Sequence, residues 1–122
     1  VNNFELAKFG QDLAQQHYQE NGYNLVTSNF QYYQPGTQGR QAEIDLIFTK
    51  ENRVFLIEVK TRSTLQYGMA IEQITPKKIK CVQKAYHYFL YKYPIYQNYF
   101  FQFDVAAVQN GKLNLVQNVQ CF

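Results

Sequence analysis

"EIDLIFTKENRVFLIEVK", Glu43 to Lys60, holds two apolar runs with charged residues at their ends. The runs are Ile44 with Leu46 to Phe48, and Val54 to Ile57 with Val59. Residues that are β-branched, aromatic or leucine suit two strands better than a helix. Lys50-Glu51-Asn52 reads as the turn between them. Side chains alternate across a strand, so Glu43 and Asp45 share one face of the first, and Glu58 and Lys60 one face of the second. Paired as a hairpin, the strands can bring three carboxylates and one ammonium onto a single face. Both runs are apolar on both sides, which predicts interior strands covered by other structure.

Outward from this hairpin, a helical stripe of Phe4, Ala7, Gln11, Ala14 and Tyr18 runs from about Asn3 to Asn21 and stops at Gly22. Tyr23 to Phe30 can form a first strand, and Gln34 to Gln41, with one proline and two glycines, a loop. Past the hairpin, polar residues and Gly68 lead to a second helix from about Thr75 to Tyr91, closed by Pro94. "FFQFDVAAV" and "KLNLVQNV" are two further strands about the Gln109-Asn110-Gly111 turn. The order is αβββαββ. It predicts one α/β domain over residues 1–122, with a mixed sheet flanked by helices. Gln11 and Lys78 are polar groups on the buried sides of their helices. Each needs a partner, and the charged end of the hairpin is the candidate; the alternative is that each reaches solvent at the edge of its stripe.

A chain of 122 residues can bury a core without disulfides or a structural metal. Aromatic content of 17% argues against disorder. No apolar stretch is long enough to span a bilayer and no signal-peptide order opens the chain, so a soluble, cytoplasmic protein with no membrane partner is expected. Cys81 and Cys121 form no metal-ligand spacing with His17 or His87, and both are read as reduced. The net charge of +3 does not by itself announce a nucleic-acid binder.

Two carboxylates about 4 Å apart repel by about 1 kcal/mol in water and about 4 kcal/mol at an effective dielectric of 20. A cluster of three therefore calls for cations. Lys60 supplies one charge, and Mg²⁺ or Mn²⁺, hard ions with oxygen ligands, suit the remainder. A metal with an ammonium beside it can activate water and stabilise the charge of a phosphoryl transition state.

Asp45, followed by Glu58-x-Lys60 on a neighbouring strand, resembles the PD-(D/E)xK nuclease superfamily. More closely, "GQDLAQQHYQENGY", "AEIDLI", "FLIEVKTRS", "YGMAIEQITPKKIK", "QFDVAAV" and "NVQCF" resemble, in order and spacing, the YraN-like family of uncharacterised bacterial proteins, itself similar to archaeal Holliday junction resolvases. The resemblance implies a restriction-endonuclease-like three-layer core. It implies Asp45, Glu58 and Lys60 as catalytic residues, with Asp45, Glu58 and Glu43 at the metal and Gln11 and Lys78 in support. Gln11 stands where the family usually has glutamate, Ala42 where it has glycine, and Gln102 where it has arginine.

Arg40, Thr61, Arg62 and Ser63 flank the charged cluster and could bind phosphates. Lys77, Lys80 and Lys84 share one helical face, either merely solvated or a sequence-independent contact to a nucleic-acid backbone. The aromatic run Ala85 to Phe103 reads as core or subunit interface, with base stacking as the alternative. The function expected is a divalent-metal-dependent endonuclease on DNA, branched or otherwise structured. A homodimer is the simplest way to cut two strands. The alternatives are a non-catalytic nucleic-acid-binding module on a degenerate nuclease site, and a protein-interaction domain.

Overall fold

The computed structural model describes residues 2–33, 42–62 and 74–119. The first helix, α1, runs Asn3–Glu20. Asn2 caps it by accepting from the Glu5 amide at 2.8 Å, while its own amide donates to the Glu5 carboxylate at 3.2 Å. The helix ends where Gly22 takes φ 86°, a conformation open to glycine, and the Tyr23 amide turns back to the Tyr18 carbonyl. Three strands follow: β1 Asn24–Tyr32, β2 Ala42–Lys50 and β3 Arg53–Arg62. The second helix, α2, spans Pro76–Lys92, with Thr75 accepting from the Lys78 amide and proline in the first turn. Pro94 does close it, opening a short 3₁₀ turn, Pro94–Tyr96. Two strands end the fold, β4 Phe100–Gln109 and β5 Lys112–Val116. The Asn110-Gly111 turn between them has positive φ at both residues, as a two-residue hairpin favours.

The strands form one sheet in the order β1-β2-β3-β4-β5. All neighbours are antiparallel except β3 and β4, which run parallel with Glu58 beside Val105. A parallel neighbour needs a long crossover, and α2 lies within it. The apolar strands β2 and β3 are interior, as their two-sided hydrophobicity predicts. On one face α2 lays Ile79, Val82, Ala85, Tyr86 and Phe89 against Ile47, Leu56, Phe103 and Val105. On the other, Ala14 and Tyr18 of α1 cover Leu46, Phe48, Phe55 and Ile57. The architecture is α/β, a mixed sheet between two helices, as the element order predicts.

Two expectations need correction. The buried residues of α1 are Gly10, Ala14 and Tyr18, whereas Phe4 is 78% exposed and Ala7 is also exposed. Gly10 is buried because α1 approaches β3 there more closely than a side chain allows. A β-carbon on Gly10 would sit 1.8 Å from the Thr61 hydroxyl oxygen. Strict alternation also fails along β2. Ile44 and Ile47 both pack on the α2 face while Leu46 packs on the α1 face. The break falls at Asp45, across from Asn29 of β1, which has φ 52°.

Candidate functional site

Backbone pairing of β2 with β3 runs from Lys50 and Arg53 to Leu46 and Ile57, then stops. At the next step Asp45 turns its carboxylate inward and accepts from the Val59 amide at 2.7 Å. A side chain thus takes the hydrogen bond that a strand carbonyl would have taken. Glu58, only 8% exposed, lies within hydrogen-bonding reach of Asp45. Its other neighbours are cations. Lys78 of α2 approaches one Glu58 oxygen at 3.0 Å, and Lys60 the other at 3.9 Å. The half-buried Lys78 therefore finds the partner its position demanded.

The four charges expected on one face straddle the end of the sheet instead. Glu58 meets α2 through Lys78, while Asp45 lines a cavity of about 540 Å³ under the start of α1 with Gln11, Lys60, Thr61 and Arg62. On its other side Asp45 borders a second hollow with Glu43, Gln11 and Asn29. Glu43 lines that hollow beside Asp45, as their shared strand face predicts, and its carboxylate accepts from Gln31 of β1 at 3.1 Å. It is close enough for its charge to act on Asp45. Among the described residues, no three acidic, histidine or cysteine side chains group to hold a metal. Glu43 and Asp45 face the α1 side while Glu58 turns to Lys78 of α2, so the three carboxylates do not share one face.

Burial pushes the Asp45 carboxyl up from 3.8 to about 7, and the negative charge of Glu58 adds to that. The Val59 amide works in the opposite direction, and Glu43 raises it further. A desolvated carboxyl beside a second carboxylate is the electrostatic setting in which a cation is strongly favoured.

Gln11 donates to Asn29 at 3.1 Å rather than to the acidic pair, yet it borders both cavities that Asp45 lines. Thr61 lines the larger cavity, and its hydroxyl oxygen is buried against Gly10 and, among the described residues, has no hydrogen-bond partner. Arg62 lines the larger cavity and donates to the Thr61 carbonyl at 2.9 Å. Lys77, Lys80 and Lys84 are exposed along α2. Arg40 and Ser63 lie outside the described residues.

One functional group escaped the sequence reading. Asp104 of β4 is fully buried and accepts from the Tyr18 hydroxyl at 3.0 Å, the Gln102 amide at 2.8 Å and the Asn118 backbone at 2.9 Å. It ties α1, β4 and the segment after β5 together. The Tyr18 hydroxyl is pushed well above its usual range, by burial first and by Asp104 second. A charge inside the apolar run "FDVAAV", with a tyrosine on the α1 stripe, was the available signal. Gln102 in turn accepts from Arg53 at 3.3 Å, so Gln102 links that guanidinium to the buried carboxylate.

Residues 10–108 match the Uncharacterised protein family UPF0102. The chain belongs to that family. Among UPF0102 relatives, a protein of Flavobacterium johnsoniae is 32% identical over 118 residues, covering 94% of this chain and 90% of the relative. One from Syntrophomonas wolfei is 32% identical over 124 residues, covering 98% and 99%. One from Acinetobacter baumannii strain AYE is 34% identical over 103 residues, covering 84% and 72%. These bacterial UPF0102 proteins bear out the YraN-like resemblance of the motifs. The matched span holds Gly10, Gln11, Asp45, Glu58, Lys60, Lys78 and Asp104. Among the described residues, no helix is long and apolar enough to cross a membrane.

Proposed function

We propose that this UPF0102 chain hydrolyses phosphodiester bonds in DNA, using Mg²⁺ or Mn²⁺ held at Asp45 and Glu58. The observation that carries the reading is the buried carboxyl pair where β2 and β3 part, with Lys60 and Lys78 at 3.9 and 3.0 Å from Glu58. The donor set fits a hard divalent ion that takes few carboxylates and completes its shell with water and substrate phosphate. When bound, such an ion supplies Lewis acidity toward a phosphoryl oxygen. The chain's own residues do the rest. Lys60, which lines the cavity where the scissile phosphate would lie, would orient water and stabilise the extra negative charge of the transition state. Lys78 holds Glu58 in place, and Gln11 offers a neutral amide from α1. With one site per chain, cutting both strands of a duplex calls for two copies.

Calorimetric titration of Mn²⁺ and Mg²⁺ into the wild type and Asp45→Asn tests this reading. Saturable binding that the substitution abolishes is expected, with metal-dependent cleavage of branched, duplex or single-stranded DNA. The neutral Gln11 and the turning of Glu58 toward α2 favour a second reading, a nucleic-acid-binding module without catalysis. Absence of metal binding, with and without DNA, together with salt-sensitive DNA binding, would establish it.

A further inference from the structure

A third cavity, of about 280 Å³, lies on the flank of α2 and shares no lining residue with the two beside Asp45. Tyr86, His87, Tyr99 and Phe101 line it, with Gln83 and Gln97 beside them. Tyr86 and Phe101 have ring centroids 4.7 Å apart, and Phe101 is 37% exposed, so aromatic surface is open to an incoming group. No charged side chain lines the cavity, while two amides and an imidazole provide hydrogen-bonding edges. The ligand it suits is small, flat, uncharged and polar at its edge. Charge lies immediately outside. Exposed Lys80 and Lys84 each stand three residues before a cavity residue, Gln83 and His87, and so neighbour them on the helix surface. A flat neutral ring next to negative charge is a nucleotide. The helix itself links the two sites: Lys78 at Glu58 and Tyr86 in the cavity are about 12 Å apart along the axis, the rise of about four stacked nucleotides.

We propose that this cavity takes an unpaired base of a bound single strand, whose phosphates track Lys80 and Lys84 toward the acidic pair. The inference rests on the nucleic-acid reading above but does not require the metal. It gives the substrate a class, DNA with unpaired bases near the cut.

Binding of dye-labelled single-stranded and duplex 12-mers to the intact chain, in chelator so that nothing is cut, tests it by fluorescence anisotropy. The single strand is expected to bind more tightly than the duplex. Phe101→Ala, and His87→Ala at an exposed helix position where folding is not at risk, are each expected to weaken the single strand about tenfold. Both should leave the duplex unchanged. On a strand of abasic sites the variants should bind like the wild type. Equal losses on duplex and single strand, equal wild-type affinity for abasic and base-bearing strands, or no single-strand binding would overturn the proposal. Thymidine monophosphate binding as tightly as the strand would overturn the strand assignment. Because binding is read in chelator, without metal, failure of the metal centre and failure of this cavity are told apart.

Discussion

Asp45 is held by opposing influences, and its protonation would link stability to the proposed metal binding. Its folded value of about 7 lies above the ordinary 3.8, so the native chain binds a proton that the unfolded chain releases. The stabilising contribution is fully present below about pH 4 and is lost as pH rises through 7. In chemical denaturation of the metal-free protein, Asp45→Asn should therefore gain on the wild type between pH 5 and 8, by up to about 3 kcal/mol. Parallel pH profiles for the two proteins would contradict this. A divalent ion competes for the same oxygens, so Mn²⁺ affinity should fall about tenfold per pH unit below about 7. The Asp-Glu-x-Lys pattern and the need of Lys78 for a partner were legible in the residue string. The turning of Glu58 toward α2, away from the side that Glu43 and Asp45 share, was not, because it depends on how the helices pack on the two sides of the sheet.

At the scale of elements, the contact between α1 and β3 sets where Gln11 stands. Gly10→Ala would drive a β-carbon to 1.8 Å from the Thr61 hydroxyl oxygen and 2.9 Å from its β-carbon. Helix propensity favours alanine by about 1 kcal/mol, yet overpacking costs about 1–3 kcal/mol and α1 must lift. Net destabilisation is expected in thermal denaturation, together with loss of Mn²⁺ affinity. Thr61→Val should leave stability unchanged or raise it by about 1 kcal/mol, since it replaces an unpartnered buried hydroxyl with a methyl group. A marked loss in that variant would mean that the hydroxyl has a partner. The helices, strands and turn residues were legible because their signals are local: caps, periodicity and Asn-Gly. Close approach of α1 to β3 is not local, and a glycine inside a helical stripe reads only as a weak helix former. Asp104 stayed hidden for a related reason. Its three donors come from α1, from β4 and from beyond β5, and no sequence spacing relates them.

For the whole molecule, the modest net charge of +3 conceals an uneven distribution, with Lys77, Lys80 and Lys84 exposed along the helix that leads from the acidic pair. If they contact phosphates, replacing each in turn with glutamine should reduce the slope of log affinity against log salt by about 1, with little change in base preference. Unchanged slopes would return this row to the role of a solvated face. The mixed sheet and its two covering helices were legible from the order of elements. The single parallel seam was not, because strand order depends on where the crossover deposits β4.

That seam also has a consequence during synthesis. The β1-β2-β3 meander emerges from the ribosome well before Phe100–Gln109, the strand that will lie against β3. Until then the apolar run Val54 to Ile57 is a temporary sheet edge, of the kind that recruits strands from neighbouring chains. Glu58 and Lys60 close that run with charge, and Arg53 opens it. Charges so placed act as gatekeepers against intermolecular pairing. The residues proposed for phosphodiester chemistry thus stand where charges would protect the nascent strand.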